Sequence, residues 1–196
     1  MAASRWVCVA HLKYKMWRRA TSDAKVSANN SQAQQDAMIV NMLVELTSSF
    51  STENEEALLR AVGLTLEHRQ GAADHDVAWI HDVFGGAWHS EAASGWNWFA
   101  RDSDGRLVGF CTYGQRRHRW WWIEHWLDLP GVGIFGPMGV DAALRGKQIG
   151  RILARRALES MRLQGLARAI IGAAGPVAFY EHCCGATVVE RLERPL

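Results

Sequence analysis

Gly136-Pro137-Met138-Gly139-Val140, followed four residues later by Arg145-Gly146-Lys147-Gln148-Ile149-Gly150, is the stretch on which the reading of the fold turns. An apolar run over 132–140 stops and a short turn carrying Arg and Gly follows. A helix is then predicted from Arg145 to Gln164, with Ile149, Ile152, Leu153, Ala157 and Met161 on its inner face and Gly165 as its stop. Its first turns hold no acidic residue. Such a turn leaves backbone N–H groups without partners at the positive end of a helix dipole. That is a ready site for a phosphate-bearing ligand. The sequence therefore predicts a pyrophosphate cofactor with chemistry beside it.

Working outward, Ala167 to Gly172 reads as a short buried strand, Pro176 as the opening of a short helix, and Ala186 to Leu192 as a last strand. Upstream, Trp96, Trp98 and Ala100 alternate with Asn97, Phe99 and Arg101. Asp104-Gly105 signals a tight turn, and Leu107 to Tyr113 returns, which makes a hairpin. Asp76 to Trp88 is a helix whose end is weakened by Gly85-Gly86. Thr52-Glu53-Asn54-Glu55 has the form of a capping box, with Leu58, Leu59, Val62 and Leu66 behind it at helical spacing. Met38 to Leu46 is a strand or a helical turn; the pattern allows either. The order of elements implies a mixed α/β layer, antiparallel in front, with one parallel crossover flanking the Arg-Gly turn. No internal repeat is visible.

The 196 residues suffice for one domain with a core and are short for two. We divide them into a basic, polar N-terminal arm over 1–37 and a single domain over 38–196. The arm holds Arg5, Lys13, Lys15, Arg18, Arg19 and Lys25 against Asp23 up to residue 34. That is the composition of a transit peptide, of a mis-assigned start or of a flexible arm alike. A net charge of +2 does not announce a nucleic-acid binder, and no apolar run approaches the roughly 20 residues that cross a bilayer. Cys8, Cys111, Cys183 and Cys184 form no CxxC pair, so the expectation is reduced cytoplasmic thiols, with neither a zinc site nor another metal.

Arg145-Gly146-Lys147-Gln148-Ile149-Gly150 resembles the Arg/Gln-x-x-Gly-x-Gly/Ala turn of the GCN5-related N-acetyltransferase (GNAT) superfamily, which follows a strand ending in apolar-x-Val. Arg145, Gly146 and Gly150 match, and Gln148 stands where the family usually has Gly. The resemblance runs over about 75–192, through Leu107-Val108-Gly109-Phe110 and the late Phe179-Tyr180-Glu181. Narrower still is the likeness to a branch with Gly-Pro-x-Gly-Val before the turn and Ala-Ile-Ile-Gly-x-x-Gly-Pro-x-x-Phe-Tyr-Glu after it, here Gly136 to Val140 and Ala169 to Glu181. Some of its members handle amino sugars from cell-wall polymers. The resemblance implies an α+β fold: a mostly antiparallel sheet with a central parallel pair splayed at the cofactor site and helices on both faces. It implies acetyl-CoA as donor and an amine as acceptor.

On that reading Met138, Gly139 and Val140 run beside the pantetheine arm. Gly146, Lys147, Gln148, Ile149, Gly150 and Arg151 offer N–H groups to the pyrophosphate, with charge from Arg145, Lys147 and Arg151. A Gln at 148 is tolerable if its φ is negative. Tyr180 is the candidate acid for the leaving thiolate, against a Tyr that merely packs. Gly185 follows it by five residues rather than the four common in relatives, an offset that could turn the ring away. Glu124 and His125, on or near the strand leading to the site, are candidate bases or ordinary surface residues. Cys183 and Cys184 lack any neighbour placed to activate them. Trp120, Trp122 and Trp126, with Trp121, form an aromatic patch behind Arg116, Arg117, His118 and Arg119. It is an acceptor wall, core packing or the face of a homodimer. The leading expectation is an acetyl-CoA-dependent N-acetyltransferase of a small-molecule primary amine, such as an amino sugar or aminoglycoside, acting without nucleic acid or membrane. A non-catalytic acetyl-CoA-binding module and a peptide or lysine acetyltransferase are the alternatives.

Overall fold

The computed structural model describes residues 38–50, 53–114 and 120–193. The arm, Thr52, the basic run over 115–119 and Cys8 lie outside the described residues.

The elements are β1 (Met38–Glu45), α1 (Glu53–Ala61), β2 (Thr65–Gln70), α2 (Asp74–Phe84), α3 (Trp88–Ser94), β3 (Trp96–Arg101) and β4 (Leu107–Tyr113). Then come α4 (Glu124–Leu127), β5 (Val132–Val140), a 3-10 turn (Ala142–Leu144), α5 (Ile149–Leu163), β6 (Arg168–Ile171), α6 (Val177–Cys184) and β7 (Thr187–Glu193). The seven strands form one sheet in the order β2-β3-β4-β5-β6-β1-β7. Pairing is antiparallel from β2 through β5 and between β6 and β1, while β5 and β6 are parallel. The expected hairpin and parallel pair are both present.

Alternation along the strands sends side chains to two faces. On one, Val108, Cys111, Tyr113 and Phe135 meet α5 through Ile149, Ile152, Leu153, Leu158 and Met161, with Leu59 of α1 and Tyr180 and Cys183 of α6. Each fully buried aliphatic chain here contributes about 1.5–3 kcal/mol. On the other, Phe99, Leu107 and Phe110 lie under α2 and α3, and Val132, Ile134 and Ile170 lie under the tryptophan segment and α4.

Several elements differ from the sequence reading. Of Met38 to Leu46, the residues Met38–Glu45 form a strand. Leu66 is not part of α1, because Gly63 turns the chain at φ 73° and Leu66 enters β2. The helix through Asp76 stops at Phe84, since Gly85 and Gly86 both take positive φ, and Trp88 begins a second helix, α3. The helix expected from Arg145 starts four residues later, at Ile149, because Gly146 and Gln148 are left-handed. Pro176 stands just before α6 rather than inside it.

Two features position the site. The β5–β6 ladder runs from Val132↔Arg168 to Phe135↔Ile171 and ends there, whereas β5 continues to Val140 along β4. Between Phe135 and Met138 the β4–β5 register slips by one residue, with Gly136 at φ 106°. This bulge keeps β5 with β4 and parts it from β6. Second, Asn97 of β3 is fully buried and ties α3 down. Its Nδ2 donates to the carbonyls of Ala92 and Gly95 at 2.8 and 3.1 Å, and its Oδ1 accepts from Thr112 Oγ1 at 2.7 Å.

Replacing Asn97 by Ala takes this partner from the Ala92 carbonyl and the Thr112 hydroxyl, while the Gly95 carbonyl keeps the Gly71 N–H at 2.8 Å. We expect Asn97→Ala to lower unfolding free energy by about 2–4 kcal/mol in urea titration. A change under about 0.5 kcal/mol would show that the amide does not hold α3.

Candidate functional site

Where β5 and β6 part, a cavity of about 1020 Å³ opens. Its floor is Gly136 to Val140 and its far wall is Ile171 to Pro176. Arg145, Gly146 and the start of α5 from Gln148 to Arg151 close one end, and Trp88, Glu91, Trp120 and Trp122 close the other. Tyr180 also lines it.

The α5 end has the makings of an anion site. Among the described residues, no backbone carbonyl accepts from the N–H groups of 146–151; the first N–H of α5 with a backbone acceptor is that of Ile152, to Gln148. A Cβ at Gly146 would meet nothing within 4 Å, so the turn is open on that side. Arg145 Nε donates to the Val140 carbonyl at 3.4 Å, which holds the guanidinium at the end of β5. Arg151 is shared, since its Nε pairs with Glu55 of α1 at 3.2 Å. Glu55 thus serves Arg151, and Arg155 at 3.8 Å. Lys147 does not line the cavity. Donors, open space and cations together fit a pyrophosphate.

Gln148 takes φ 63° and ψ 2°, and so does not have the negative φ that the sequence reading required of it. It occupies the left-handed conformation that glycine adopts without cost, so the turn keeps its shape at the expense of backbone strain.

Tyr180 is buried within α6, edge-on to Phe135 with ring centroids 6.1 Å apart. Burial, with the thiols of Cys111, Cys184 and Cys183 nearby, pushes its hydroxyl well above the ordinary phenol range. It stays protonated and can act as a donor. The five-residue spacing to Gly185 does not turn the ring out of the cavity; Gly185 is the left-handed residue that ends α6, at φ 67°.

The structure does not bring Glu124, His125 or Trp126 into the cavity lining. Glu124 and His125 lie on the short helix α4, not on a strand. His125 Nε2 sits 3.4 Å from Glu190, and Trp126 Nε1 donates to the same carboxylate at 3.3 Å. Glu190 also accepts from Asn41 Nδ2 at 2.7 Å, whose Oδ1 accepts from the Ala173 N–H. These residues fasten the tryptophan segment to β1 and β7. Cys183 and Cys184 lie outside the lining, and the hydrogen bond that Cys183 donates to Cys184, with burial, pushes the Cys183 thiol up, away from a nucleophile. Among the described residues no cluster of three or more His, Cys, Asp or Glu could hold a metal ion, and no helix is long and apolar enough to cross a membrane.

Glu91 was not foreseen. It is 6% exposed, on α3, and accepts from the Trp120 side chain. Burial raises its carboxyl to about 7, partly offset by that hydrogen bond. The sequence signal available was only an acid within an unassigned stretch after Gly85-Gly86.

A family model, the acetyltransferase (GNAT) family, matches residues 68–186, more than half of the chain. The chain belongs to this family, whose members are acyltransferases and generally use acetyl-CoA. Among solved structures it is similar to the glucosamine N-acetyltransferase region of a fungal multi-domain β-N-acetylglucosaminidase, at 15% identity and a TM-score of 0.62 over 86% of this chain and 23% of that one. It is also similar to a GCN5-related N-acetyltransferase from Sphaerobacter thermophilus, at 18% identity and 0.55 over 86% and 55%. A third likeness is to a GNAT-family acetyltransferase from Novosphingobium aromaticivorans, at 15% and 0.52 over 79% and 61%. The chain thus spans less than two thirds of each of these chains, and at such identities the likeness is one of fold. No curated protein matches it significantly in sequence.

Two measurements check this geometry. Gln148→Gly removes a side chain from a left-handed position, and we expect it to raise stability by about 0.5–1 kcal/mol in urea titration; a loss would mean that φ at 148 is negative. Glu91 concerns pH. Its carboxyl holds a proton to about pH 7 in the folded chain, against an ordinary value of 4.5. The folded state therefore binds more protons between those values, and stability falls as pH rises through that window. Glu91→Gln should match the parent near pH 4 and exceed it above pH 7 by on the order of 2–3 kcal/mol. Equal stabilities at pH 8 would contradict the raised value.

Proposed function

We propose that the chain is an N-acetyltransferase that moves the acetyl group of acetyl-CoA directly to a primary amine of a small molecule, with an amino sugar or aminoglycoside as the acceptor class. The observation that carries this is the cavity itself: one space is lined by the start of α5 with its open N–H groups, by Tyr180, and by Trp88, Glu91, Trp120 and Trp122.

The donor supplies an acetyl thioester when bound. The N–H groups of Gly146 to Arg151 hold the pyrophosphate, helped by the Arg145 side chain. Beyond Phe135, β5 has no strand on its β6 side, so the backbone of Met138, Gly139 and Val140 is available to the pantetheine amides as an added strand would use it. Tyr180 keeps its proton until a thiolate needs it. Trp120 and Trp122 stack at 5.0 Å and present indole faces on which a sugar ring lies well. The glucosamine acetyltransferase region with the similar fold supports the same acceptor class. The free thiols of Cys111, Cys183 and Cys184 suit a reducing compartment such as the cytoplasm.

The test is calorimetric titration with acetyl-CoA, followed by a transfer assay on glucosamine, kanamycin, spermidine and a lysine peptide. Micromolar binding is expected, weakened about tenfold in Arg145→Ala, consistent with losing one charge-assisted contact. Tyr180→Phe should bind acetyl-CoA as the parent does and lose at least about tenfold in kcat. Absence of binding would overturn the proposal; binding without transfer to any of the amines would favour the non-catalytic module. Transfer to the lysine peptide alone would move the acceptor class to peptides.

A further inference from the structure

The amine that enters this cavity arrives as an ammonium ion and must lose a proton before it can attack. The aromatic end of the cavity holds an acidic side chain, Glu91, which is also almost wholly enclosed. Asn97 anchors its helix from below through the carbonyls of Ala92 and Gly95. Trp120 donates to its carboxylate from the side, and Trp122 stacks on Trp120 with the rings 9° from parallel. The tryptophan pair is itself fixed, because Asn41 Nδ2 donates to the Trp122 carbonyl and Ile123 packs over Gly172, where a Cβ would come within 2.7 Å of Ile123 Cγ2. The carboxylate is thus held by two rigid elements and opens on the cavity.

We infer that Glu91 is the group that binds the acceptor's ammonium and takes its proton, with Trp120 aiming the carboxylate. This rests on the proposed N-acetyltransferase function. The ammonium gives one proton to Glu91. The freed nitrogen lone pair forms the C–N bond at the acetyl carbon, and the C–S bond breaks. The departing sulfur takes the Tyr180 hydroxyl proton, and Tyr180 regains one from the new amide nitrogen. Glu91 releases its proton to water, so each turnover yields amide, CoA thiol and one proton.

The surroundings favour this role. The other ionisable side chains lining the cavity among the described residues are Arg145, Arg151 and Tyr180. Of those on the packed helices, His81 is 3.1 Å from Asp82 and 5.0 Å from the His89 ring, and Asp76 is taken by Arg101 and His75. Burial is the main cause of the near-neutral Glu91 carboxyl, which can therefore both accept and release a proton near pH 7. The indoles beside it suit a cation that is desolvated on entry.

The experiment compares the parent, Glu91→Gln and Glu91→Asp on glucosamine, kanamycin, spermidine and the lysine peptide. Three readouts are taken: acetyl-CoA affinity, kcat/KM for the best amine from pH 5 to 9.5, and the protonated-carboxyl infrared band across the same range. The parent should show a rising limb near pH 7 in kcat/KM and loss of the infrared band at the same pH. Glu91→Gln should keep acetyl-CoA affinity within twofold, lose the limb and the band, and fall at least about 100-fold at pH 7, recovering toward the pKa of the amine. Glu91→Asp should keep the limb. If Glu91→Gln stays within threefold of the parent with the limb intact, the assignment is overturned while the acetyltransferase reading stands. A parent that binds acetyl-CoA and acetylates none of the amines also overturns it. A parent that does not bind acetyl-CoA overturns the enzyme reading, and Glu91 falls with it.

Discussion

β5 cannot pair with β4 and β6 along its whole length, and the site follows from how that conflict is settled. Over Val132 to Phe135 it pairs with β6, and from Phe135 to Val140 it pairs with β4, so the two ladders overlap only at Phe135. At Gly136 the backbone takes φ 106°, the register slips by one, and β5 stays with β4 alone. The half-strand that is left presents backbone groups to a gap instead of a ladder. The start of α5, the Gly172 loop, α6 and the tryptophan segment all border that gap. Open sheets leave unpaired backbone groups at their outer edges; this one also leaves them in its middle, between β5 and β6.

Holding such a gap open requires rigid walls. The α5 wall is a buried aliphatic face, from Ile149 to Met161, on the strongly hydrophobic side of the sheet. The opposite wall is polar in its fastening: Asn97 clamps α3, while Asn41 and Glu190 clamp the tryptophan segment. Asn41 and Asn97 are fully buried and hydrogen-bonded to backbone, so they fix position as much as they add stability. Strain appears in the same region, at Gln148, where the chain keeps a glycine-like turn without the glycine.

Much of this was legible in the sequence because the signals were local. Asp104-Gly105 between alternating apolar residues gave the hairpin, and an apolar run followed by Arg145-Gly146 gave β5 and the turn. The late Phe179-Tyr180-Glu181 placed an aromatic hydroxyl that does line the cavity. What was missed depends on long-range contacts. Thr65 to Gln70 is a mostly polar strand whose place is set by pairing with β3, so it carries no apolar period. Glu91 becomes unusual only when the fold buries it beside Trp120, 29 positions away. His125 and Trp126 read as site residues from their neighbours in sequence, yet Glu190 draws them to the outer side of the wall. The sign of φ at Gln148 is likewise invisible to composition, since the turn around it decides.

The central claim is that the parted strands and the start of α5 form a pyrophosphate site. Backbone amide NMR of the 15N-labelled protein during titration with CoA tests it most directly. The account predicts saturable shifts concentrated at the amides of Gly146 to Arg151 and Met138 to Val140, with little change on β2 or β7. Saturable shifts that leave Gly146 to Arg151 unmoved would contradict it.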